Sequence, residues 1–200
     1  MEKLPLIIAH RGESFDAPEN TLASVNLAWE RGADAVEIDV HMSKDNEIMV
    51  IHDSDTKRVS GIYKKIKKSN SAELKELDVG SWKNEKFKDE RIPLLKEVLF
   101  TIPTGKKIII EIKSARKILP FLKAELEKSG LLPDQIEIIS FSYKTVKEAK
   151  KLMPEHKILY LADLDYTRYT KVISPSVEKL IKIIASNNVN GIPKTLNRIK

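Results

Sequence analysis

Four short groups of charged and imidazole residues follow apolar runs in the first part of the chain. In chain order they are His10-Arg11-Gly12, Glu37-Ile38-Asp39, His52-Asp53 and Glu111-Ile112-Lys113. Each group follows or closes a run of strong β-formers, such as Ile108-Ile109-Ile110 before Glu111. Polar residues at the ends of strands are typical of the active-site edge of an α/β barrel. Two imidazoles, three carboxylates and two permanent cations predict a site for phosphoryl chemistry with a divalent metal.

Three of these carboxylates, Glu37, Asp39 and Glu111, offer the hard oxygen donors that Mg²⁺, Ca²⁺ and Mn²⁺ prefer. A set made only of carboxylates discriminates poorly among these ions. Taken alone, a Glu-x-Asp pattern at a strand end also fits surface carboxylates or an ion pair. We therefore interpret the three residues as candidate ligands of one divalent cation.

The cationic and imidazole side chains suit the binding and cleavage of a phosphodiester. An arginine fork matches two phosphate oxygens and a lysine can neutralise the third, which favours this role for Arg11 and Lys113. An ion pair with a nearby carboxylate is the alternative for each. His10 and His52 could transfer protons, since imidazoles titrate near neutrality. They could instead be metal ligands, and His10 could be a hydrogen-bonded core histidine.

A short connection predicts how part of this site assembles. Residues 43–47 join two predicted strands, and a connection of this length is too short for a parallel crossover, so it predicts an antiparallel hairpin. With Asp45-Asn46 as the two turn residues, Asp39 lies opposite His52 and shares a face with Glu37. A slip of one residue would separate them, so this arrangement depends on the turn type.

The chain as a whole alternates β-like and helical segments. Strands are predicted at 6–9, 35–41, 48–51, 107–113, 136–140, 158–161 and 189–192, and helices from Asn20 or Thr21 to Arg31-Gly32 and at 93–99, 119–129, 143–152 and 177–186. Strands that alternate with helices predict an α/β fold with a mainly parallel sheet. Residues 54–91 are polar and irregular, with one short helix around 72–77, and a stretch of this length is usually functional. We interpret it as a lid-like insertion within a single domain that spans residues 1–200.

Length and composition suit one globular domain with a sizeable core, since the 200 residues are 42% hydrophobic. The chain has no cysteine, which excludes disulfides and thiolate zinc sites and is consistent with a reducing compartment. The first strand begins almost directly after Met1, which leaves no room for a cleavable signal sequence. No apolar run approaches the ~20 residues needed to span a bilayer. These features predict a cytoplasmic protein without a transmembrane segment.

The formal net charge of +6 raises the question of an anionic partner. Much of the excess is lysine mixed with glutamate. One denser basic run, Lys64-Lys65-Ile66-Lys67-Lys68, fits a solvated loop better than a patch for phosphate or a membrane surface. Aromatic residues make up only 6% and do not interleave with the lysines, so stacking on single strands has little support. We expect no nucleic-acid partner.

The combination of spacings is more specific than any one of its members. The motifs, in order, are His10-Arg11-Gly12, Pro18-Glu19-Asn20-Thr21, Glu37-x-Asp39, Lys44-Asp45, His52-Asp53, Arg91-Ile92-Pro93 and Glu111-x-Lys113. Together they closely resemble the glycerophosphodiester phosphodiesterase family, which belongs with the phosphatidylinositol-specific phospholipase C-like barrels. The resemblance is dense over residues 7–113 and weaker to about residue 163.

This resemblance implies a TIM-type (β/α)₈ barrel that hydrolyses small glycerophosphodiesters to sn-glycerol 3-phosphate and an alcohol. It implies one divalent cation, Mg²⁺ or Ca²⁺, with Mn²⁺ as a further candidate. The residues implied for these roles are Glu37, Asp39 and Glu111 for the metal, Arg11 and Lys113 for phosphate, and His10 and His52 for general acid–base catalysis. In this scheme the 2-hydroxyl of the substrate attacks phosphorus, and water then opens the cyclic phosphate.

The last part of the sequence departs from the family pattern. Two motifs that normally end its late strands are missing, and a (β/α)₈ barrel typically needs ~250 residues. Without the return strand of the hairpin, we count six predicted barrel strands. We therefore expect a barrel that lacks its last two βα units and has open sheet edges, which pair readily with other chains. A homodimer that covers the open edge is the corresponding hypothesis.

Three other functions stay open from the sequence. A lysophospholipase D or a phospholipase C-like enzyme would need an apolar entry near the site, for which the lid residues Ile62, Tyr63, Trp82 and Phe87 are candidates. A non-catalytic barrel remnant that binds phosphate esters would not need the pair His10 and His52. A nucleic-acid binder rests on the positive charge alone.

Overall fold

The computed structural model describes residues 6–162, and their sheet contains six strands. The strands are β1 (Ile8–His10), β2 (Ala35–Met42), β3 (Ile48–Val50), β4 (Lys107–Ile112), β5 (Ile136–Ser140) and β6 (Lys157–Tyr160). Five of them are parallel neighbours in the order β1-β2-β4-β5-β6, and β3 is antiparallel to β2. The predicted α/β fold with a mainly parallel sheet is confirmed for this part of the chain.

Helices connect the parallel strands, as βα units require. They are α1 (Leu22–Glu30), α2 (Lys57–Ser60), α3 (Ser71–Lys75), α4 (Leu95–Leu99), α5 (Leu119–Lys128) and α6 (Tyr143–Leu152). Thr21 is the N-cap of α1, since its hydroxyl accepts a hydrogen bond from the amide of Ser24. The bounds of β5 and α6 agree with the prediction residue for residue, and most other elements agree within two residues.

The predicted helix at 93–99 begins two residues late. The carbonyl of Pro93 accepts a hydrogen bond from the amide of Val50, and Leu94 forms a β-bridge with Met49. These bonds to β3 keep the chain extended through Leu94, and α4 therefore begins at Leu95.

Alternation along the central strands separates a helix-facing side from a polar side. Val36, Ile38 and Val40 of β2 are fully buried in the main core with residues of α1, α4 and α5. Glu37 and Asp39 lie between them in sequence and so point to the opposite face. The same alternation in β4 buries Ile108, Ile110 and Ile112 in the core and turns Glu111 to the polar face.

The antiparallel hairpin is confirmed, but its predicted register is wrong by one residue. Val40 pairs with Val50, and the amide of Ile51 donates to the carbonyl of Asp39. Asp39 therefore lies opposite Ile51 and not opposite His52. The side chain of His52 reaches the site by a different route, which is described with the site.

The shape of the turn explains this shift. The amide of Ser43 donates to the carbonyl of Glu47, so three residues and not two form the loop. Asn46 adopts φ 66°, the left-handed conformation typical of three-residue hairpin loops. The hydroxyl of Ser43 bonds the carboxylate of Asp45 at 2.6 Å and fixes the loop in this form.

Residues 54–91 are more regular than the sequence predicts. They contain α2, α3 and two 3₁₀ turns, and the predicted short helix corresponds to α3. A second core of buried apolar residues joins this insertion to β3 and to the segment before α4. Its members are Met49, Ile51, Val59, Ile66, Leu74, Leu77, Val79, Ile92 and Leu94. The insertion is therefore a small packed layer against the face of β3 that carries Met49, while Ile48 and Val50 face the main core.

Two predicted elements, the helix at 177–186 and the strand at 189–192, lie outside the described residues. Within residues 6–162, the helices are all too short or too polar to span a bilayer.

Candidate active site

The three predicted metal ligands come together at one end of the sheet. Glu37 and Asp39 share a face of β2, and Asp39 is paired with Glu111 across the parallel β2–β4 register. One oxygen from each carboxylate lies within 4.8 Å of the other two. The side chains are buried, and Asp39 has no exposed surface. Two strands in register therefore fix all three groups through their backbones.

Each of these carboxylates has one buried oxygen that makes no well-aligned hydrogen bond among residues 6–162, although Lys113 Nζ lies 2.9 Å from that of Glu111 and 3.3 Å from that of Asp39. These buried atoms are Glu37 Oε1, Asp39 Oδ1 and Glu111 Oε1. Burial raises the pKa of Glu37 well above its usual value, and the neighbouring charge of Asp39 adds to this rise. Burial likewise raises the pKa of Glu111, although Lys113 opposes the rise. Three buried carboxylate oxygens that converge beside the single ammonium group of Lys113 fit a hard divalent cation, and the set favours no one ion among Mg²⁺, Ca²⁺ and Mn²⁺.

The second oxygens of Glu37 and Asp39 are held by the loop after β1. The amide of Arg11 donates to Glu37 Oε2 at 3.0 Å. Asn20 forms two hydrogen bonds with Asp39. Asn20 Nδ2 donates to Asp39 Oδ2 at 2.9 Å, and the backbone amide of Asp39 donates to Asn20 Oδ1 at 3.1 Å. The sequence predicts Asn20 only as a possible helix start and as a member of the family motif, without a role in the site. Because Thr21 is the cap, the buried carboxamide of Asn20 is left to position Asp39.

Both predicted phosphate-binding cations lie against the carboxylates. Arg11 Nε is 3.3 Å from Asp39 Oδ2, while Lys113 Nζ is 2.9 Å from Glu111 Oε1 and 3.3 Å from Asp39 Oδ1. Burial lowers the pKa of Lys113, but the bond to Glu111 and the charge of Asp39 outweigh it and leave the pKa raised. The ion-pair alternative of the sequence analysis is thus what this structure contains. The two cations are still about one-fifth exposed.

A sharp turn returns Arg11 to the site. Arg11 and Gly12 both have left-handed backbones, with φ of 58° and 76°. A Cβ atom at position 12 would lie 2.5 Å from the hydroxyl of Ser24, so the close approach of α1 requires glycine here.

The two histidines border the cluster. His10 Nε2 is 3.8 Å from Glu37 Oε2, and its ring is 42% exposed. Burial and the charge of Arg11 lower the pKa of His10, which favours the neutral imidazole. The charge of His52 acts weakly in the same direction on the pKa of His10. The candidate metal group found within residues 6–162 consists of the three carboxylates and includes neither histidine.

His52 reaches this position because the chain leaves the sheet after Val50. Its carbonyl accepts a hydrogen bond from His41 Nε2 at 3.0 Å, and its Nδ1 donates to Asp53 Oδ1 at 2.7 Å. The bond to Asp53 leaves Nε2 as the ring nitrogen for a ligand. The structure therefore brings together all seven predicted site residues, although the predicted pairing of Asp39 with His52 is wrong.

Two further charged residues complete the site, and the sequence analysis assigned neither of them a role. Arg58 of α2 donates from Nε to Asp53 and from Nη1 and Nη2 to the two oxygens of Glu19. Glu19 also accepts a hydrogen bond from Arg11 Nη1 at 3.0 Å. Burial raises the pKa values of Glu19 and Asp53, but Arg58 outweighs it and lowers both. The spacing of Arg58 from His52 carries no signal by itself, because no periodic element joins them.

Comparison with known proteins identifies the family of this chain. Residues 10–199 match the glycerophosphoryl diester phosphodiesterase family. A glycerophosphodiester phosphodiesterase of Caldanaerobacter subterraneus subsp. tengcongensis is 38% identical over 157 residues, which cover 76% of this chain and 65% of the relative. An enzyme of the same name from Bacillus subtilis is 33% identical over 165 residues, which cover 74% of this chain and 56% of the relative. The chain thus matches about two thirds or less of the length of these relatives.

A solved structure gives the same result for the fold. An Oleispira antarctica phosphodiesterase, in complex with the product sn-glycerol 3-phosphate, superposes with a TM-score of 0.78 at 33% identity, over 91% of this chain and 72% of that one. The fold is that of a TIM-type barrel, to which residues 6–162 contribute five parallel strands. By the match over residues 10–199 and by these relatives, the chain belongs to the glycerophosphoryl diester phosphodiesterase family.

Proposed function

We propose that this protein hydrolyses glycerophosphodiesters to sn-glycerol 3-phosphate and an alcohol in a metal-dependent reaction. The observation that carries the proposal is that buried oxygens from three carboxylates converge within 4.8 Å of one another, beside Lys113 and two imidazoles. Family membership adds the substrate class, and the Oleispira relative binds the corresponding product.

The proposed metal ligands are Glu37, Asp39 and Glu111, with Mg²⁺ or Ca²⁺ as the expected ion and Mn²⁺ as a further candidate. When bound, such a cation lowers the pKa of a coordinated hydroxyl group and offsets the charge of a phosphate group. Each of the three side chains is held in advance by its strand, so the fold has already ordered the ligands before an ion enters.

Arg11 and Lys113 bind the phosphodiester anion in this scheme. Both already lie within 3.3 Å of Asp39, so they are held at the edge of the carboxylate cluster, where a substrate phosphate would lie. Their partial exposure lets them contact a substrate without leaving the carboxylates. The guanidinium fork of Arg11 suits two phosphate oxygens, and Lys113 acts as a point charge.

His10 and His52 are the proposed proton-transfer pair. One imidazole takes the proton of the attacking 2-hydroxyl, and the other gives a proton to the departing alcohol oxygen. Water then opens the cyclic phosphate with the two roles reversed. The lowered pKa of His10 supports a base at neutral pH, and the bond from His52 Nδ1 to Asp53 fixes the orientation of the second ring.

We also propose that residues 54–91 form a lid-like insertion beside this site. Arg58 contacts Glu19 and Asp53, and Lys83 Nζ donates to the carbonyl of Ser14 at 2.9 Å. These contacts join the insertion to the loop that carries Arg11.

A lysophospholipase D activity on lipid substrates is the second candidate. Phe15 is 75% exposed and Trp82 is 44% exposed, and they adjoin the two residues of the Ser14–Lys83 contact. Exposed apolar side chains beside the site loop would suit an acyl chain.

The test measures choline release from glycerophosphocholine and from lysophosphatidylcholine, with and without EDTA, and sn-glycerol 3-phosphate as the second product of glycerophosphocholine. We expect turnover that EDTA abolishes and that His10→Ala or His52→Ala lowers by about 10²- to 10⁴-fold. Faster release from the lysolipid would favour the second candidate. A folded protein that binds Mg²⁺ or Ca²⁺ in calorimetry but turns over neither compound would contradict the proposal and favour a phosphate-ester-binding barrel.

Two expectations from the sequence stay predictions, namely a cytoplasmic location and a homodimer. Light scattering at micromolar concentration tests the dimer, and a monomer would exclude it.

A further inference from the structure

Arg58 connects two carboxylates that hold different parts of the site. We propose that Arg58 is a positioning residue that aligns His52 and Arg11 together, through Asp53 and Glu19. This inference rests on the proposed function, since it assigns Arg58 a role in the same reaction without contact to the substrate.

The guanidinium uses all three of its nitrogens in these contacts. Nε donates to Asp53 Oδ2 at 2.7 Å, Nη1 to Glu19 Oε2 at 2.9 Å and Nη2 to Glu19 Oε1 at 2.7 Å. The Glu19 contact is a bidentate pair, which restricts orientation as well as distance. A planar group bound at both edges fixes the separation of the two carboxylates.

Each carboxylate passes this restraint to one proposed functional residue. Asp53 accepts from His52 Nδ1 at 2.7 Å through its other oxygen. Glu19 accepts from Arg11 Nη1 at 3.0 Å, and its side chain is mostly buried. The result is an unbroken series of charge-assisted hydrogen bonds from His52 through Arg58 to Arg11.

The second core positions Arg58 itself. Val59, the next residue of α2, is buried in that core, and Gly61 ends the helix with φ 73°. Thr56 precedes α2, is fully buried, and its hydroxyl accepts from the amide of Lys64 at 3.1 Å. The insertion therefore supplies a fixed residue to the site in addition to any covering role.

Lysine cannot reproduce this arrangement. An ammonium group is a compact point charge, so it cannot form the bidentate pair with Glu19 and the separate Nε bond to Asp53 at the same time. Arg58→Lys thus separates the effect of charge from the effect of geometry, and Arg58→Ala removes both.

Arg31 offers a matched control. Its guanidinium also lies between two carboxylates, at 3.1 Å from Glu13 and 2.7 Å from Asp16, and it is 49% exposed against 43% for Arg58. Within residues 6–162, neither Glu13 nor Asp16 contacts a proposed site residue through its side chain. Arg31→Ala and Arg31→Lys therefore remove an equivalent ion pair away from the proposed chemistry.

The experiment compares kcat and KM for glycerophosphocholine in the wild type and in the four variants, with the melting temperature of each. We expect Arg58→Ala to lower kcat/KM by about 10- to 100-fold, with kcat reduced through His52 and KM raised through Arg11. Arg58→Lys should recover less than about one third of this loss, and methylguanidinium should restore part of the activity of Arg58→Ala. Both Arg31 variants should stay within about twofold of the wild type.

If the wild type turns over glycerophosphocholine and Arg58→Lys stays within twofold of it in both kcat and KM, the inference about Arg58 is overturned. The proposed function then still stands. If the wild type turns over neither substrate, the proposed function fails, and the ¹⁵N shifts of His52 then decide about Arg58. Loss of the Nδ1–H signature in Arg58→Lys but not in Arg31→Lys would support the positioning role. Unchanged shifts would overturn it. The same NMR comparison applies if Arg58→Ala fails to fold.

Discussion

The two sides of the site are held in different ways. Glu37, Asp39 and Glu111 project from β2 and β4, and their positions follow from a parallel register with an unbroken ladder. His52 and Asp53 follow the end of β3, outside the ladder, and hydrogen bonds from side chains hold them. The strand side is buried and rigid, and the insertion side is partly exposed and depends on a few polar contacts.

This difference matches the two tasks of the proposed reaction. A divalent cation requires oxygen ligands at fixed distances, which strands in register supply. Proton transfer requires rings that can reach solvent and substrate, which His10 as the last residue of β1 and His52 beyond the end of β3 supply. We expect substitutions of the strand-side carboxylates to lower both ion binding and turnover, and to do so more than substitutions of the residues that position the insertion side.

The largest effect is expected from Asp39→Asn. Asp39 is fully buried and contacts Arg11, Asn20 and Lys113. Loss of its charge removes a proposed metal ligand and takes away a counter-charge from both Arg11 and Lys113. We expect turnover to fall by about 10³-fold, consistent with the several kcal/mol that metal-assisted catalysis supplies. Calorimetry with Mg²⁺ or Ca²⁺ should also show weaker binding.

Asp134→Asn is the control for this variant, since Asp134 is an exposed carboxylate in the turn before β5. Undiminished ion binding by a folded Asp39→Asn variant would show that the three carboxylates are not the metal site.

The same comparison explains what the sequence could predict. Runs such as Ile108-Ile109-Ile110 determine both a strand and the side of the sheet on which Glu111 lies, because side chains alternate. The strand-side cluster could therefore be predicted from periodicity and short connections. The family resemblance added the assignment of roles.

The insertion side could not be predicted in the same way. The hairpin register depended on whether the loop had two or three residues, and the bonds of Ser43 that decide this are side-chain contacts. His52 reached the site although the predicted register was wrong. The roles of Asn20 and Arg58 were missed because Asp39 and Glu19, which they contact, lie 19 and 39 residues away, and no alternation or helical period points to these pairs.

A moderate effect on stability is expected from Asp45→Ala on the insertion side. Asp45 accepts hydrogen bonds from the hydroxyl of Ser43 and from the amide and hydroxyl of Ser71, so it joins the hairpin loop to the start of α3. We expect a loss of about 1 kcal/mol and a fall in melting temperature of about 3 °C. Asp45→Asn keeps one acceptor oxygen, so its melting temperature should lie between those of the wild type and Asp45→Ala.

The pH dependence of this contact has a defined sign. Burial raises the pKa of Asp45 slightly, but its bonds to Ser43 and Ser71 outweigh this and lower it from 3.8 to about 2. The carboxylate therefore contributes stability above pH 3.8, and this contribution is lost as the pH falls through 2. Denaturant unfolding at pH 6 and pH 3 should give a smaller difference between wild type and Asp45→Ala at the lower pH. An equal difference at both would contradict the hydrogen-bond explanation.

The smallest effect is expected from Glu125→Gln, which should raise the melting temperature, whereas Asp45→Ala should lower it. Glu125 lies on α5, in the helical layer that covers the strand side, and its Oε2 is buried without a hydrogen-bond partner in the described part of the chain. Burial and the charge of Glu47 raise its pKa from 4.5 to about 7, while Lys96 opposes the rise. The folded state thus binds this proton more tightly than the unfolded chain does. The stability gained from the protonated group is fully present below pH 4.5 and is lost as the pH rises through 7.

A neutral glutamine avoids this loss, so we expect Glu125→Gln to melt about 2 °C higher than the wild type at pH 8 and at nearly the same temperature at pH 4.5. A variant that is less stable at pH 8 would mean that the ionised carboxylate has a stabilising partner, and the helical layer would then depend on a charged contact as the insertion does.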